Sequence, residues 1–397
     1  MIWRMPDKLS PPTRIGYIPT LDGWRAFAVF SVILYHDNLH RFGPFSDSLI
    51  HNYGSMGVDL FFAISGILIC SRLLDEEYSH HQISLSGFYV RRFCRILPPA
   101  WLYLAVLALL GVVDLVHVGF SGWLAALLFV ENYYLAHIQS ADLSAFTSHF
   151  WSLAIEEHFY LILPGILVLF RARRISVLVW LIAAFSAYRL MLHSHPGWFE
   201  YMAGKGATQR TELRINALLF PALLAILLRK PDFHRFATRW LKPVIVIPAL
   251  MAVFAAAYFA APKPPSPYSS LFVNLTSFGF PFLIVCTMLH PASYVSRFLE
   301  LAPLRHLGKI SYSIYLWQQL FFVREQGSMG VQWPLSLAQN WPWCLVGVLL
   351  IANASYYFVE RPFMRLGHRL APPATPGRSD LKVTSPGAAP ANSAQPH

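Results

Sequence analysis

Arg25 and His36 stand eleven residues apart in an otherwise apolar run. Eleven residues is close to three α-helical turns, so the two side chains share one face, about 16 Å apart along the axis. An ionisable group at such depth in lipid costs about 2.5–3.5 kcal/mol on insertion scales, so it faces a partner, water or a substrate. A neutral imidazole can take a proton from a hydroxyl, and a carboxylate on its other ring nitrogen fixes the tautomer and stabilises the imidazolium. Two acids are expected at the depth of His36. One is Asp59, at the start of the next apolar segment. The other is Glu156, which shares a helical face with Ser152 and Tyr160 while Glu157 is rotated away. His36 and Asp59 could equally satisfy each other as a packing pair.

A second set is basic. Arg91, Arg92 and Arg95 form a compact group of guanidinium side chains suited to phosphates, and as markers of membrane orientation they would need no ligand at all. Arg214 and Asn216 open a further descending segment and should reach the layer of His36. Ser311, Tyr315 and Gln318 fall on one face and could line a cavity or form an interhelical seam. The small residues Gly57, Ser65 and Gly66 allow a ligand or a neighbouring helix to approach closely. Cys70, Cys94, Cys286 and Cys344 lack metal-ligand spacing, so no metal is expected.

The elements that must position these groups follow from composition. The chain has 397 residues, 55% hydrophobic and only 13% charged, with a mean hydropathy of +0.45. A soluble domain carries about a quarter charged residues, so the bilayer has to absorb the apolar excess. The net charge of +11 fits the positive-inside bias of membrane proteins, and nucleic acid is not expected as a partner. Eleven apolar segments are expected, near 21–38, 56–73, 97–113, 120–136, 150–170, 175–192, 211–228, 243–261, 270–289, 309–323 and 341–359. Basic clusters recur at alternate connections, but three segments between 95 and 171 break the parity. The segment 120–136, whose apolar run stops at Glu131-Asn132, is therefore expected to be re-entrant or interfacial. The fold class is all-α: a polytopic transmembrane bundle of about ten spanning helices with both termini cytoplasmic. Residues 1–16 would form a cytoplasmic segment, 17–370 the membrane domain and 371–397, rich in Pro, Ala, Ser and Gly, a disordered tail.

Six pieces occur in a telling order: Leu21-Asp-Gly-Trp-Arg-Ala-Phe-Ala-Val with His36, Gly57-Val-Asp-Leu-Phe-Phe-Ala-Ile-Ser-Gly, Arg91-Arg-Phe-Cys-Arg-Ile-Leu-Pro, Phe150-Trp-Ser-Leu-Ala-Ile-Glu-Glu-His-Phe-Tyr, Gly308-Lys-Ile-Ser-Tyr-Ser-Ile-Tyr-Leu-Trp and Glu360-Arg-Pro. Together they resemble the acyltransferase-3 family of membrane O-acyltransferases that modify bacterial surface polysaccharides. The resemblance implies an acyl-CoA donor, usually acetyl-CoA, a hydroxyl acceptor on a carbohydrate or glycolipid, no permanently bound cofactor, and a place in the bacterial inner membrane. It implies a required pair Arg25 and His36, with Asp59 and Glu156 completing the catalytic set. Arg91, Arg92 and Arg95 would hold the coenzyme, while Glu157, Ser152, Arg214, Tyr315 and Gln318 would face substrate. Asn216 and Pro221 depart from the pattern that follows Arg214, and Gln318 stands where many members have His. No appended hydrolase-like domain is evident. A transporter or flippase would share the intramembrane charges, and a scaffold or sensor would not need them.

Overall fold

The computed structural model describes residues 17–36, 54, 56–116, 118–137, 146–194, 209–260, 270–322 and 335–371. The segments expected to be a cytoplasmic start (1–16) and, from residue 372, a disordered tail lie outside the described residues. Among the described residues the elements are helical throughout. In chain order they are α1 (Pro19–His36), α2 (Met56–His80), α3 (Leu85–Val112), α4 (Phe120–Leu127), α5 (Glu131–His137), α6 (Phe150–Leu169), α7 (Arg174–Ser194), α8 (Thr211–Arg214) and α9 (Asn216–Leu227). There follow α10 (Pro231–Trp240), α11 (Pro243–Ala260), α12 (Ser270–Leu289), α13 (Tyr294–Leu299), α14 (Ala302–Lys309), α15 (Ser311–Phe322), α16 (Leu335–Ala338), α17 (Trp343–Ser355), a π-helical turn (Tyr356–Glu360) and α18 (Arg361–Leu370).

Among the described residues, five helical stretches are long and apolar enough to cross a membrane: α2, α3, α6, Arg174–Leu192 of α7, and the continuous run Trp343–Leu370. The pair α10 and α11 would make a sixth, bent by 75° at its break. The expected segment 211–228 is broken at Ile215 into α8 and α9, and the segment 309–323 contains the twelve-residue α15. The expected non-crossing piece 120–136 is two short helices. The chain turns at Phe129, which takes a left-handed φ of 55°, one residue pair ahead of the expected stop. The arginines 91, 92 and 95, read in sequence as a connecting run, instead lie on α3 itself, which Ser84 caps by accepting from the Gly87 amide.

Small residues set the helix spacing around the site. With lipid outside, close approach rather than a hydrophobic drive holds helices together. A Cβ on Gly57 would overlap the Ala28 carbonyl, and one on Gly66 would overlap the Leu218 carbonyl, so α2 packs tightly on α1 and α9. A Cβ on Gly308 would overlap the Asp22 backbone, which seats α14 against the start of α1.

One end of α2 ties the bundle together. Asp75, Glu76 and Glu77 are consecutive, so they project about 100° apart around the helix. Each meets a different partner: Asp75 pairs with Arg229 at 2.6 Å, Glu76 with Arg91 at 2.9 Å, and Glu77 with Arg174 at 2.6 Å and Arg171 at 2.8 Å.

Candidate active site

A cavity of about 90 Å³ opens between α1, α2, α3, α6 and α15. Its polar lining is Arg25, Ser65, Arg92, Arg95, Ser152, Glu156, Glu157, Tyr160, Ser311, Tyr312 and Tyr315. Glu156 is anchored: Ser65 Oγ donates to its Oε1 at 3.0 Å, and Tyr160 OH donates to its Oε2 at 3.0 Å. Glu157 is not turned away as its position on the helix suggested; it lines the same cavity, and among the described residues its Oε1 has no hydrogen-bond partner. Arg92 lies across the ring of Tyr160, 5.4 Å from its centroid, and acts electrostatically on both carboxylates. Ser152 and Tyr315 are in hydroxyl-to-hydroxyl contact, and both oxygens lie within hydrogen-bond distance of the His149 carbonyl, at 3.2 and 3.1 Å, so one hydroxyl donates to the other and the second donates to the carbonyl.

Two larger chambers border this cavity and share walls with it. One, of about 380 Å³, shares Arg25, Leu68, Arg95, Ser311 and Tyr312 with it and continues to Arg72, Lys309, Tyr356, Tyr357, Glu360 and Arg361. The other, of about 330 Å³, shares Ile69, Arg92 and Arg95 with it and continues to Arg72, Glu76, Phe88, Arg91 and His368. The π-helical turn before α18 brings Glu360 inward, where Ser313 Oγ donates to it at 3.0 Å.

The expected residues divide into those the cavity gathers and those it does not. Arg25, Glu156, Glu157, Ser152, Tyr315, Arg92 and Arg95 line it. Arg25 also pairs with Asp22 at 3.1 Å. Arg91 stands in the smaller chamber, committed to Glu76 and to the Ala371 carbonyl. Asp59, expected beside His36, instead pairs with Arg214 at 3.3 Å and accepts from Thr276 at 2.7 Å. Both members of that pair are 3% exposed, and Arg214 also lies 5.4 Å from the centroid of Trp151, so neither faces the cavity. Gln318 is fully buried, donates to the neighbouring Gln319 at 2.8 Å and does not line the cavity. Asn216 donates to Ser186 at 2.9 Å. The two acids considered as partners for His36 thus have other principal contacts.

His36 closes α1, its Nδ1 3.1 Å from the Val32 carbonyl and its ring 5.0 Å from that of Tyr35. It lies within electrostatic reach of His149, the residue whose carbonyl holds Ser152 and Tyr315. His149 itself is buried among Tyr103, Phe150 and Tyr315.

Sequence reasoning missed Ser65 as a carboxylate partner, Tyr312 as a wall, and Arg72 as a shared edge of both chambers. The serine was legible: Ser65 interrupts the apolar run of α2 between Asp59 and Ser71. Arg72 was not, because its position at the end of an apolar run looked like an ordinary boundary charge.

The architecture is that of a helical integral membrane protein with an internal polar cavity flanked by arginine-lined chambers. The chain belongs to the acyltransferase-3 family, whose acyltransferase domain matches residues 18–359. It is 31% identical to YrhL of Bacillus subtilis (strain 168), over 89% of this chain and 56% of that protein. It is 29% identical to the O-acetyltransferase OatA of Staphylococcus aureus (strain NCTC 8325), over 89% of the chain and 58% of that protein. It is 28% identical to the peptidoglycan O-acetyltransferase OatA of Listeria monocytogenes, over 88% and 56%. The chain therefore spans little more than half the length of these relatives. No solved structure matches it.

Proposed function

We propose that this protein is a multi-pass O-acyltransferase of the bacterial cytoplasmic membrane that moves an acetyl group from acetyl-CoA to a hydroxyl of a cell-wall saccharide. The observation that carries this reading is the single cavity in which Glu156 and Glu157 meet Arg92 and Arg95, bordered by the basic chambers. A thioester with phosphates on its far end suits that arrangement: cations for the phosphates in the chambers, and the cavity beyond them for the acyl end. Membership of the family and the printed names of the staphylococcal and listerial relatives favour acetyl transfer to a wall polymer.

In this reading the chain crosses the membrane ten times with both termini in the cytoplasm, and the arginine chambers open there. Arg92 and Arg95 hold the donor, and Arg25 lies along its path. His36, at the opposite end of α1, takes the proton of the acceptor hydroxyl. The oxygen then bonds to the thioester carbonyl carbon, the carbon–sulfur bond breaks, and the imidazolium returns its proton to the departing thiolate. Glu157, with an oxygen left over, polarises the reacting end, while Glu156 is held by Ser65 and Tyr160 as a fixed negative wall.

The test is transfer of label from radioactive acetyl-CoA to peptidoglycan fragments by the purified protein in lipid nanodiscs. Label on the glycan, lost in a His36→Ala variant that elutes and melts like the parent, is the expected result. A general base contributes about 10²–10⁴-fold, so the variant should fall by that much. Movement of a saccharide across the bilayer with no labelled product would instead establish the transporter reading.

A further inference from the structure

We infer that Arg72 is a donor-binding residue, and that the phosphates of the coenzyme enter through the larger chamber, between Arg72, Arg95, Lys309 and Arg361, and not through the chamber of Arg91. This rests on the proposed use of an acyl-CoA donor and assigns the route and the residue that guards it.

The argument is one of unmatched charge. Arg72 lies one turn before the acidic triplet of α2, yet that triplet is already engaged: Asp75 by Arg229, Glu76 by Arg91, Glu77 by Arg174 and Arg171. What surrounds Arg72 electrostatically is more positive charge, from Arg92, Arg95, Arg25 and Arg91. Among the described residues, neither Arg72 nor Arg95 has a carboxylate within ion-pair distance. Like charges gathered at the mouth of a low-dielectric cavity repel one another, so an arrangement of this kind is balanced by an anion from outside. The anion must be multivalent, because several guanidinium groups face the same space, and planar guanidinium forks match phosphate oxygens two at a time.

The two chambers differ in what they have left to offer. The smaller one shares Arg72 and Arg95 and adds Arg91 and Arg92, but Arg92 lies over the rings of Phe88 and Tyr160, and Arg91 is neutralised by Glu76 and donates to the Ala371 carbonyl at 3.0 Å, fastening the end of α18 to α3. The larger one adds Lys309 and Arg361 to the shared Arg72 and Arg95; of its two acids, Asp22 is paired with Arg25 and Glu360 accepts from Ser313, and the chamber leads past Arg25 towards the carboxylates. Tyr356 and Tyr357 on its wall offer flat surfaces for a purine at the far end of the same molecule.

The experiment is equilibrium binding of free coenzyme A, 3′-dephospho-coenzyme A and pantetheine to the full chain in nanodiscs, for the parent and for Arg72→Gln, Arg72→Lys, Arg91→Gln and Arg229→Gln. A hydrogen bond to a charged phosphate implies a loss of about tenfold or more on removal. Arg72→Gln should therefore weaken coenzyme A by about tenfold or more, leave pantetheine unchanged, and reduce the salt dependence of binding. Arg72→Lys should recover part of the loss, Arg91→Gln should lose less than Arg72→Gln, and Arg229→Gln should stay within about twofold. Melting curves of each variant separate lost binding from lost folding, and the charge-keeping Arg72→Lys reports if Arg72→Gln does not fold. Unaltered coenzyme A binding by folded Arg72→Gln, or a larger loss from Arg91→Gln, overturns the inference while leaving the acyltransferase reading intact. A parent protein that binds no coenzyme A at all overturns the donor reading and, with it, this one.

Discussion

Two sets of buried charge lie on either side of α2, and they are treated in opposite ways. Asp59 meets Arg214 and Thr276 in a buried contact where each charge faces an opposite or polar group of the protein, away from the cavity. Glu156, Glu157, Arg92 and Arg95 instead surround a space, and Glu157 keeps an oxygen without a described partner. A pair that satisfies itself holds helices in register. Charges left facing a cavity are costly until something enters it, and that cost is the mark of a binding or reacting site. The intramembrane location of a charge is therefore weak evidence for function until its partner is known.

That contrast can be broken at several points. Removing one member of the matched pair should hurt most. Asp59→Leu strands the Arg214 guanidinium, and loss of one partner of a buried pair costs about 3–5 kcal/mol. Chemical denaturation should show that loss, and the double variant Asp59→Leu/Arg214→Met should recover most of it. If the single change instead abolished acetyl transfer in a protein of normal stability, Asp59 would belong with the catalytic groups. Glu157→Gln should behave in the opposite sense, with kcat down about 100-fold and melting temperature unchanged or raised. That factor corresponds to about 2.7 kcal/mol of barrier. A Glu157→Gln variant with parental kcat would move the reacting end elsewhere.

Gly308→Ala sharpens the geometry on which Arg25 depends. A methyl group there collides with Asp22 backbone and must push α14 from α1, at a cost of about 1–3 kcal/mol for overpacking. The expected outcome is lower stability together with a raised KM for the donor, because Arg25 sits one turn along. Changes in stability alone would show that the two helices position nothing.

A pH-dependent effect is expected at Glu131, a third kind of acid that, among the described residues, is neither ion-paired nor in the cavity. Burial pushes its carboxyl up to about 8, only partly offset by the Thr147 hydroxyl at 3.4 Å. An unfolded glutamate titrates near about 4.3, so between there and about 8 the unfolded chain carries the charge and the folded one carries the proton. Stability from this group is thus complete at low pH and is lost as pH rises through that window, by up to about 1.4 kcal/mol per pH unit. Glu131→Gln should gain on the parent as pH rises from 6 to about 8, in melting temperature of a few degrees. Equal melting curves at both pH values would contradict the assignment.

How much of this was legible in the sequence depends on the scale. Arg25 and His36 on one helix, the common face of Ser152, Glu156 and Tyr160, and the interruption of 120–136 follow from spacing along a single element, and α1, α6 and the α4–α5 break conform to it. The partner of Asp59 did not follow, because pairing across helices depends on how each is rotated, which no periodicity records. Glu157 was misread for a related reason: it is about 100° from Glu156, and the cavity is wide enough to accept both. Gln318 shares the helical face of Ser311 and Tyr315, but the cavity ends before reaching it. Arg72 gave no signal in isolation, since its meaning comes from acids on its own helix that other elements consume.

The most direct measurement is protection of the cavity by the donor. All four native cysteines are buried, so a thiol introduced by Ser65→Cys, beside Glu156, would be the accessible one to a small maleimide. Acetyl-CoA should slow its alkylation about tenfold or more at saturating concentration, while pantetheine, which lacks the phosphates, should protect only at far higher concentration. Alkylation at the same rate with and without acetyl-CoA would contradict the account, because the coenzyme would then not occupy the space between Glu156 and the arginines.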